Sequence, residues 1–418
     1  MAALANGRPL VLKADVVIDG TGADPIRDGT VVVADGRVAW AGPTASAPPA
    51  PDDAELIELA GTTLLPGLID AHTHIMYNRY ASAVEIDAKD SLERATINAI
   101  ANAQRLLLAG FTTIRDVGCR GNIAVSVRDG IEDGALIGPH IKAAGRIVST
   151  TGGLADFLSP WLANASGFGL IADGPERIRK AVRTQVKEGV DVIKLEASGH
   201  AISRAGGTSM ATMSEREIHA AVDEAHKYGK RVAIHAQSRP GILNSLRAGV
   251  DTLEHGSDMD DECVELLLER DITFVPTISN IYSYTEAGAS LGVSDGIIAE
   301  VAKSEADWVR SVQLAHAAGV RIAMGSDVGN RYPNGQNAVE LEMLVRSGMS
   351  PAEVITAATK TSAEAVGVDD VRGTLEAGKA ADVIAVAGDP LADIALLQDN
   401  DNVVFVAKDG AVHKRPGA

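Results

Sequence analysis

The chain has 418 residues, 46% of them hydrophobic but only 3% aromatic, and a formal net charge of -18. That length accommodates one large domain and a smaller one, with the Ala/Val/Ile/Leu-rich core that buried parallel strands have. The acidic balance argues against a nucleic-acid partner, which needs a basic patch. Cys119 and Cys263 are too few for a disulfide framework, so a reducing compartment is expected. No apolar run of about 18 residues marks a membrane span. The first residues lack the basic-then-apolar pattern of a secretory leader, which makes the cytoplasm the expected location.

Residues 8–58 read as short strands joined by turns. Residues 10–18 alternate, Asp19-Gly20-Thr21-Gly22 turns, and Asp35-Gly36 is a hairpin signal between two β-branched stretches. An Ala/Pro loop follows at 43–51. From about residue 62 short apolar strands alternate with helices, the signature of repeated βα units. Eight strands are predicted, at 63–70, 112–117, 141–147, 192–196, 232–235, 252–255, 273–276 and 321–325. Helices are predicted at 92–109, 175–188, 215–228, 242–248, 260–269 and 297–318. Several helices end in glycine before an apolar or β-branched residue, as at Gly110, Gly189, Gly249 and Gly319, which suits a left-handed C-cap. The pattern fits an α/β fold, a (β/α)8 TIM-like barrel, with a doubly wound open sheet as the alternative. The tail from Arg372 to His413 returns to strands, with Asp409-Gly410 a second hairpin signal. Both chain ends are therefore expected to meet in a small β-sandwich. The expected units are 1–61 and 367–418 for the sandwich and 62–366 for the barrel.

The stretch Leu68-Ile69-Asp70-Ala71-His72-Thr73-His74 ends an apolar strand in two histidines. Side chains alternate along a strand, so His72 and His74 share a face. Two neutral imidazoles converging there suit a metal ion, although the pair alone reads more readily as two half-buried histidines. Barrel enzymes place their chemistry at the C-terminal ends of the strands. Those ends also carry Lys194, His235, His255 and Asp327, so four of the chain's ten histidines fall there. Histidine and carboxylate are ligands that zinc accepts. A desolvated lysine beside a metal becomes nucleophilic; by taking up carbon dioxide it forms a carbamate that bridges two metals. An ion pair with Glu196 is the alternative for Lys194, and a helix N-cap is the alternative for Asp327. As a ligand, Asp327 also accepts the proton of a metal-bound water, whose pKa falls to about 7.

Together these segments resemble the amidohydrolase superfamily over essentially the whole chain. The resemblance is carried by Gly20-Thr21-Gly22, Pro66-Gly67 through His74, Ile193-Lys194, His235-Ala236, Glu254-His255-Gly256, Gly325-Ser326-Asp327 and the tail from Gly373 to Asp382. It implies two divalent metal ions per chain, usually zinc. His72, His74 and Asp327 would hold the more buried ion, His235 and His255 the more exposed one, and carbamylated Lys194 would bridge them. The chain is most similar to the imidazolonepropionase-related branch of metal-dependent dipeptidases and carboxypeptidases. That branch includes prolidase-like enzymes and ochratoxin-hydrolysing amidases, and its members often assemble as octamers. The implied reaction is cleavage of the amide bond of an N-acyl amino acid by a metal-bridging hydroxide, with Asp327 and Lys194 catalytic. Asp327 would carry the hydroxide's proton to the leaving amine. A cyclic-amide or carbamate/urea hydrolase on the same site is the alternative, and a non-catalytic scaffold relative the remote one.

Two departures from that branch bear on the substrate. Its usual Thr-Gly-Gly-His-Gly is Thr151-Gly152-Gly153-Leu154-Ala155 here, and its His-Ala-Tyr is His235-Ala236-Gln237. Leu154 and Gln237 replace polar groups expected to hold a substrate carboxylate and favour a bulky aromatic acyl group, unless the change is neutral drift with the carboxylate held elsewhere. His200, Arg204 and Arg331, in loops after the fourth and eighth strands, are further substrate-binding candidates. His140, His219, His226, His316 and His413 read as structural, and Cys119 as an inert thiol.

Overall fold

In the computed structural model the described residues are 8–80, 82–158, 167–199 and 209–417. The first four strands are β1 (Leu10–Val17), β2 (Ile26–Ala34), β3 (Arg37–Pro43) and β4 (Glu55–Pro66). Next come β5 (Leu68–Thr73), β6 (Phe111–Asp116) and β7 (His140–Ala143), a three-stranded parallel sheet. A six-stranded parallel sheet follows, of β8 (Ile147–Ser149), β9 (Gly169–Ile171), β10 (Val192–Glu196), β11 (Arg231–Ala236), β12 (Thr252–His255) and β13 (Thr273–Val275). Its order is β13-β12-β11-β10-β8-β9. The last strands, β14 (Val383–Ala387), β15 (Val403–Lys408) and β16 (Ala411–Lys414), join the first four in one seven-stranded sheet, order β16-β15-β14-β4-β1-β2-β3. Both chain ends thus meet in a single sheet.

The two predicted hairpins are present, and they pack on each other. Asp35 and Gly36 have φ of 51° and 73°, and Asp409 and Gly410 have 50° and 74°, the pairs of positive angles that tight hairpins need. A Cβ on Gly410 would lie 2.8 Å from the Gly36 Cα. Glycine is therefore required there for contact as well as for conformation. The amide of Ala381 donates to the Gly36 carbonyl, and that of Gly410 to the Ala381 carbonyl, tying the two ends of the chain together.

Four predicted elements differ from what forms. The strand expected at 63–70 is two strands: Thr62–Pro66 pairs with β14 in the terminal sheet, and β5 starts afresh at Leu68. The break falls at Pro66-Gly67, where a Cβ on Gly67 would lie 2.1 Å from Thr112 Oγ1. The strand expected at 141–147 divides into β7 and β8, which belong to different sheets. The amide of Asp191 donates to Ala143 O across that division. The strand expected at 321–325 is an extended segment with one bridge, Ile322 to Phe274. Its Met324 N–H turns to Ala357 O, in the π-helical turn Ala357–Thr361, instead of entering a ladder. It still bonds on both sides, Phe274 N to Arg321 O and Ala71 N to Met324 O, each at 2.9 Å. The helix expected at 297–318 is interrupted at Ser304, which ends Asp295–Lys303 and begins Glu305–Ala317.

Helix Leu92–Leu108 shows how helices seat on the parallel strands. Ser91 caps its first turn through Arg94 N, and Ala95, Ala99 and Ala103 are buried. Small residues four apart form one face and let the helix lie close to the sheet. Among the described residues no helix is long and apolar enough to cross a membrane.

Candidate active site

Five segments bring six side chains to one cavity. His72 lies on β5 and His74 just past it; Lys194 is on β10, His235 on β11 and His255 on β12. Asp327 follows the extended segment 321–325. Period-two alternation aims His72 and His74 the same way. His255 obeys a different rule. Its φ of 71° reverses the pleat, so the ring comes to 4.9 Å from that of His72 and 4.4 Å from that of His235, while its neighbour Glu254 also reaches His72.

Hydrogen bonds decide which nitrogen each ring presents. His74 Nδ1 donates to Gly118 O at 2.8 Å, and a carbonyl can only accept. His72 Nδ1 donates to Glu254 Oε2 at 2.7 Å. Both Nε2 atoms therefore keep a lone pair, facing Asp327 Oδ1 at 3.8 Å and 3.4 Å. Burial lowers the pKa of His72 far below the ordinary imidazole value and that of His74 to about 3. Neutral rings are what a metal ligand must be. The donor atoms of His72, His74 and Asp327 lie within 4.8 Å of one another, a group able to hold a metal ion.

Asp327 is fixed from several directions. Its amide donates to His72 O at 2.8 Å, and its Oδ2 accepts from Asn280 at 2.6 Å. The preceding Ser326 donates through N and Oγ to the buried Asp70, which also accepts from Asn337. The φ of Asp327 is 51°, an unusual angle for aspartate that these bonds hold in place. Burial raises its carboxyl to about 7, against the opposing pull of Arg331 and Lys194. It aims at the two imidazoles and caps no helix.

Lys194 is buried, and its Nζ has no hydrogen-bond partner among the described residues. Burial brings its pKa down to about 8. The alternative pairing with Glu196 is not what forms. The Glu196 carboxylate accepts from Ser149 Oγ at 2.6 Å and Ala155 N at 2.9 Å, and also from Leu154 N and Thr212 Oγ1. Glu196 therefore anchors the loop that presents Leu154.

Of the substrate-binding candidates, Leu154, Gln237 and Arg331 line the same cavity as these six side chains. His200 and Arg204 lie outside the described residues. His140 stands at the start of β7, His226 pairs with Asp251 and His316 with Glu353, all outside the cavity lining. Glu254, Arg115 and Asn280 had no assigned role in the sequence reading. Arg115 Nη2 holds Glu254 Oε1 at 2.8 Å, and Arg115 Nε donates to Ala71 O at 2.6 Å. A charged residue directly before a strand-end histidine was the available signal for Glu254. Arg115 and Asn280 had none, because their partners are remote in sequence.

A family model described as the amidohydrolase family matches residues 63–412. The chain belongs to the amidohydrolase family. It is a hydrolase that acts on amide bonds. This amidohydrolase is 33% identical to the ochratoxinase of Aspergillus niger, over 100% of this chain and 89% of that one. The crystal structure of the A. niger ochratoxinase matches with a TM-score of 0.85 at 30% identity, covering 98% of this chain and 96% of that one. A crystal structure of a Xaa-Pro dipeptidase with methionine bound in its active site matches with a TM-score of 0.89 at 32% identity, covering 97% and 100%. Imidazolonepropionase of Pseudomonas putida is a more distant relative, 24% identical over 92% of this chain and 94% of that one.

Proposed function

We propose that this amidohydrolase cleaves the amide bond of N-acyl amino acids, in the manner of a carboxypeptidase, at a site built for two divalent metal ions. The observation that carries the reading is the convergence of His72, His74, Lys194, His235, His255 and Asp327 on one cavity from five segments. In this reading the strand segments β5, β6, β7–β8 and β10 to β13, with 321–325, close into a (β/α)8 barrel beside a terminal β-sandwich. The hydrogen bonds that join the two parallel sheets at Ala143 and Ala71 support it. So does the apolar cluster of Leu12, Val33, Leu59, Val383 and Phe405, which draws on both halves of the terminal sheet. The expected units, 1–61, 62–366 and 367–418, shift at their first boundary to Gly67, because β4 belongs to the terminal sheet.

The donor set fits its cations. His72, His74 and Asp327 would hold one ion and His235 and His255 the other. Lys194, buried and without a hydrogen-bond partner, would bridge them as a carbamate. A lysine held at about pKa 8 keeps a neutral fraction near pH 7 for addition to carbon dioxide. Zinc is the metal that imidazole and carboxylate donors suit best, and bound there it supplies Lewis acidity to the scissile carbonyl and acidity to a water. Asp327 performs the proton transfers. It accepts a proton from the attacking water and returns it to the departing amine. Asn280, on Oδ2, leaves Oδ1 turned toward the imidazoles. Tyr77, Phe157 and Phe168 wall the cavity with aromatic surface, which suits a bulky acyl group.

The test is a hydrolysis screen of the zinc-loaded chain on aromatic N-acyl amino acids, ochratoxin among them, with dipeptides and hydantoin-like rings, and metal analysis alongside. Turnover of the linear amides, lost on chelation, is expected at about two metal ions per chain. Turnover confined to the rings would move the function to the cyclic-amide alternative, which the imidazolonepropionase likeness favours. Assembly into a homo-oligomer, up to an octamer, belongs to the same reading and is read by sedimentation.

A further inference from the structure

The cavity has two unlike ends. Leu154, Phe157 and Phe168 follow β8 or lead into β9, whereas Tyr284 and Arg331 follow β13 and the segment 321–325. In the sheet, β8 and β13 are separated by β10, β11 and β12. The aromatic residues Phe157 and Phe168 and the arginine therefore come from segments that are far apart in the sheet order.

Arg331 is an unusual guanidinium. Only 8% of it is exposed, and among the described residues it forms no ion pair with any carboxylate. Its Cζ lies 3.5 Å from the centre of the Tyr284 ring. Its Nε donates to Ser283 Oγ at 2.7 Å, and Ser283 Oγ in turn bonds to Asn280 O. The stacking, the Nε bond and a side-chain hydrogen bond with Tyr284 set the plane of the fork, which lines the cavity. A buried charge without a counter-charge is costly, and a planar fork held in place matches a carboxylate with two parallel hydrogen bonds.

Resting on the amide-hydrolase reading above, we propose that Arg331 is the receptor for the free α-carboxylate of the amino acid that leaves. The scissile amide then lies over the His72/His74/Asp327 cluster, with the aromatic acyl group against Phe157 and Phe168. This makes Arg331 the residue that restricts the enzyme to carboxylate-bearing amides. It takes over the task that Leu154, which has no side-chain donor, cannot perform and that Gln237 can meet only with neutral amide hydrogens.

The experiment compares a matched pair, an N-naphthoyl amino acid and its C-terminal methylamide, on the zinc-loaded wild type, Arg331→Met and Arg331→Lys. The wild type is expected to prefer the free acid by about 30- to 1000-fold in kcat/KM, the range for a charge that loses its buried partner. Arg331→Met should lose that preference, its KM rising far more on the free acid than on the methylamide, and Arg331→Lys should recover part of it. Equal losses on both substrates would make Arg331 merely structural and overturn the proposal. A wild type that prefers a carboxylate on the acyl side would also overturn it. Calorimetric binding of the same pair to wild type and Arg331→Lys separates this proposal from the amidase reading. If neither compound is cleaved, the amidase reading fails; selective binding of the free acid, weakened in Arg331→Lys, then still sustains Arg331. Equal binding of acid and methylamide to wild type refutes it.

Discussion

Replacing Glu254 by glutamine isolates the control of His72. In the native chain Glu254 Oε2 accepts from His72 Nδ1, and Oε1 accepts from Arg115 Nη2 and Thr252 Oγ1. A carboxylate paired in this way only accepts, so the His72 proton stays on Nδ1 and the Nε2 lone pair faces Asp327. In Glu254→Gln the guanidinium of Arg115, which has only donors, retains the amide oxygen. The amide NH2 is then turned toward His72. The ring must accept at Nδ1 and carry its proton on Nε2, where the lone pair was. Partners of this kind are worth about 10- to 100-fold in metal affinity, or roughly 1.4–2.7 kcal/mol. Arg115 also loses its buried counter-charge, and breaking such a pair costs about 3–5 kcal/mol. The retained hydrogen bond favours the lower figure. At about 2.1 cal/mol/K per residue, 3 kcal/mol lowers the melting temperature of 418 residues by about 3–4 °C if they unfold as one unit. Zinc competition with a chelating dye reads the affinity, nitrogen-15 shifts of the imidazoles read the tautomer, and calorimetry reads the stability. Zinc affinity within about twofold of wild type, with the proton still on Nδ1, would refute the reasoning.

Asp327→Asn should retain metal but lose about 10²- to 10⁴-fold in kcat; residual turnover above a tenth of wild type would remove the proton-transfer role. Lys194→Ala should abolish turnover and lower metal content, and a short carboxylic acid such as propionate should restore part of both; full activity without additive would exclude a bridging role. In the metal-free chain, burial raises the carboxyls of Asp116 and Asp327 to about 7 and that of Glu340 to about 8. Each binds its proton more tightly folded than unfolded, so the cost of burying it is absent at low pH and grows as pH rises through the folded pKa. The melting temperature should therefore fall between about pH 6.5 and pH 8. Below that window the gain is opposed, since burial keeps His72 and His74 neutral while their unfolded counterparts take up protons. A melting temperature that rises across the window would contradict these directions. Gly67→Ala should cost about 1–3 kcal/mol by overpacking, because the new Cβ meets Thr112 Oγ1 at 2.1 Å. The double variant with Thr112→Ala should recover most of this in denaturant melts, and simple additivity would exclude the clash as the cause.

Local chemistry alone carried a large part of the site into view. Period-two alternation announced His72 and His74, and the ends of the apolar runs announced Lys194, His235 and His255, because strand direction and side-chain parity are properties of neighbouring residues. The hairpins at Asp35-Gly36 and Asp409-Gly410 were legible for the same reason: their angles are demanded within two residues. The segment 321–325 was harder, because Met324 gives its amide to a π-helical turn more than thirty residues later. Where β4 ends and β5 begins also depended on a remote partner, the β14 ladder that claims Thr62–Pro66.

What only the tertiary structure decided are the quantities set by distance across the fold. The tautomers of His72 and His74 depend on Glu254 and Gly118, the alignment of Asp327 on Asn280, and the setting of Arg331 on Tyr284 and Ser283, with no ion pair to a carboxylate among the described residues. The residue types that reach the cavity are written in short spacings along the chain. Protonation, tautomer and charge balance are fixed by burial and by partners that sequence places 44 to 182 residues away, so they emerge only when the segments have come together at the cavity.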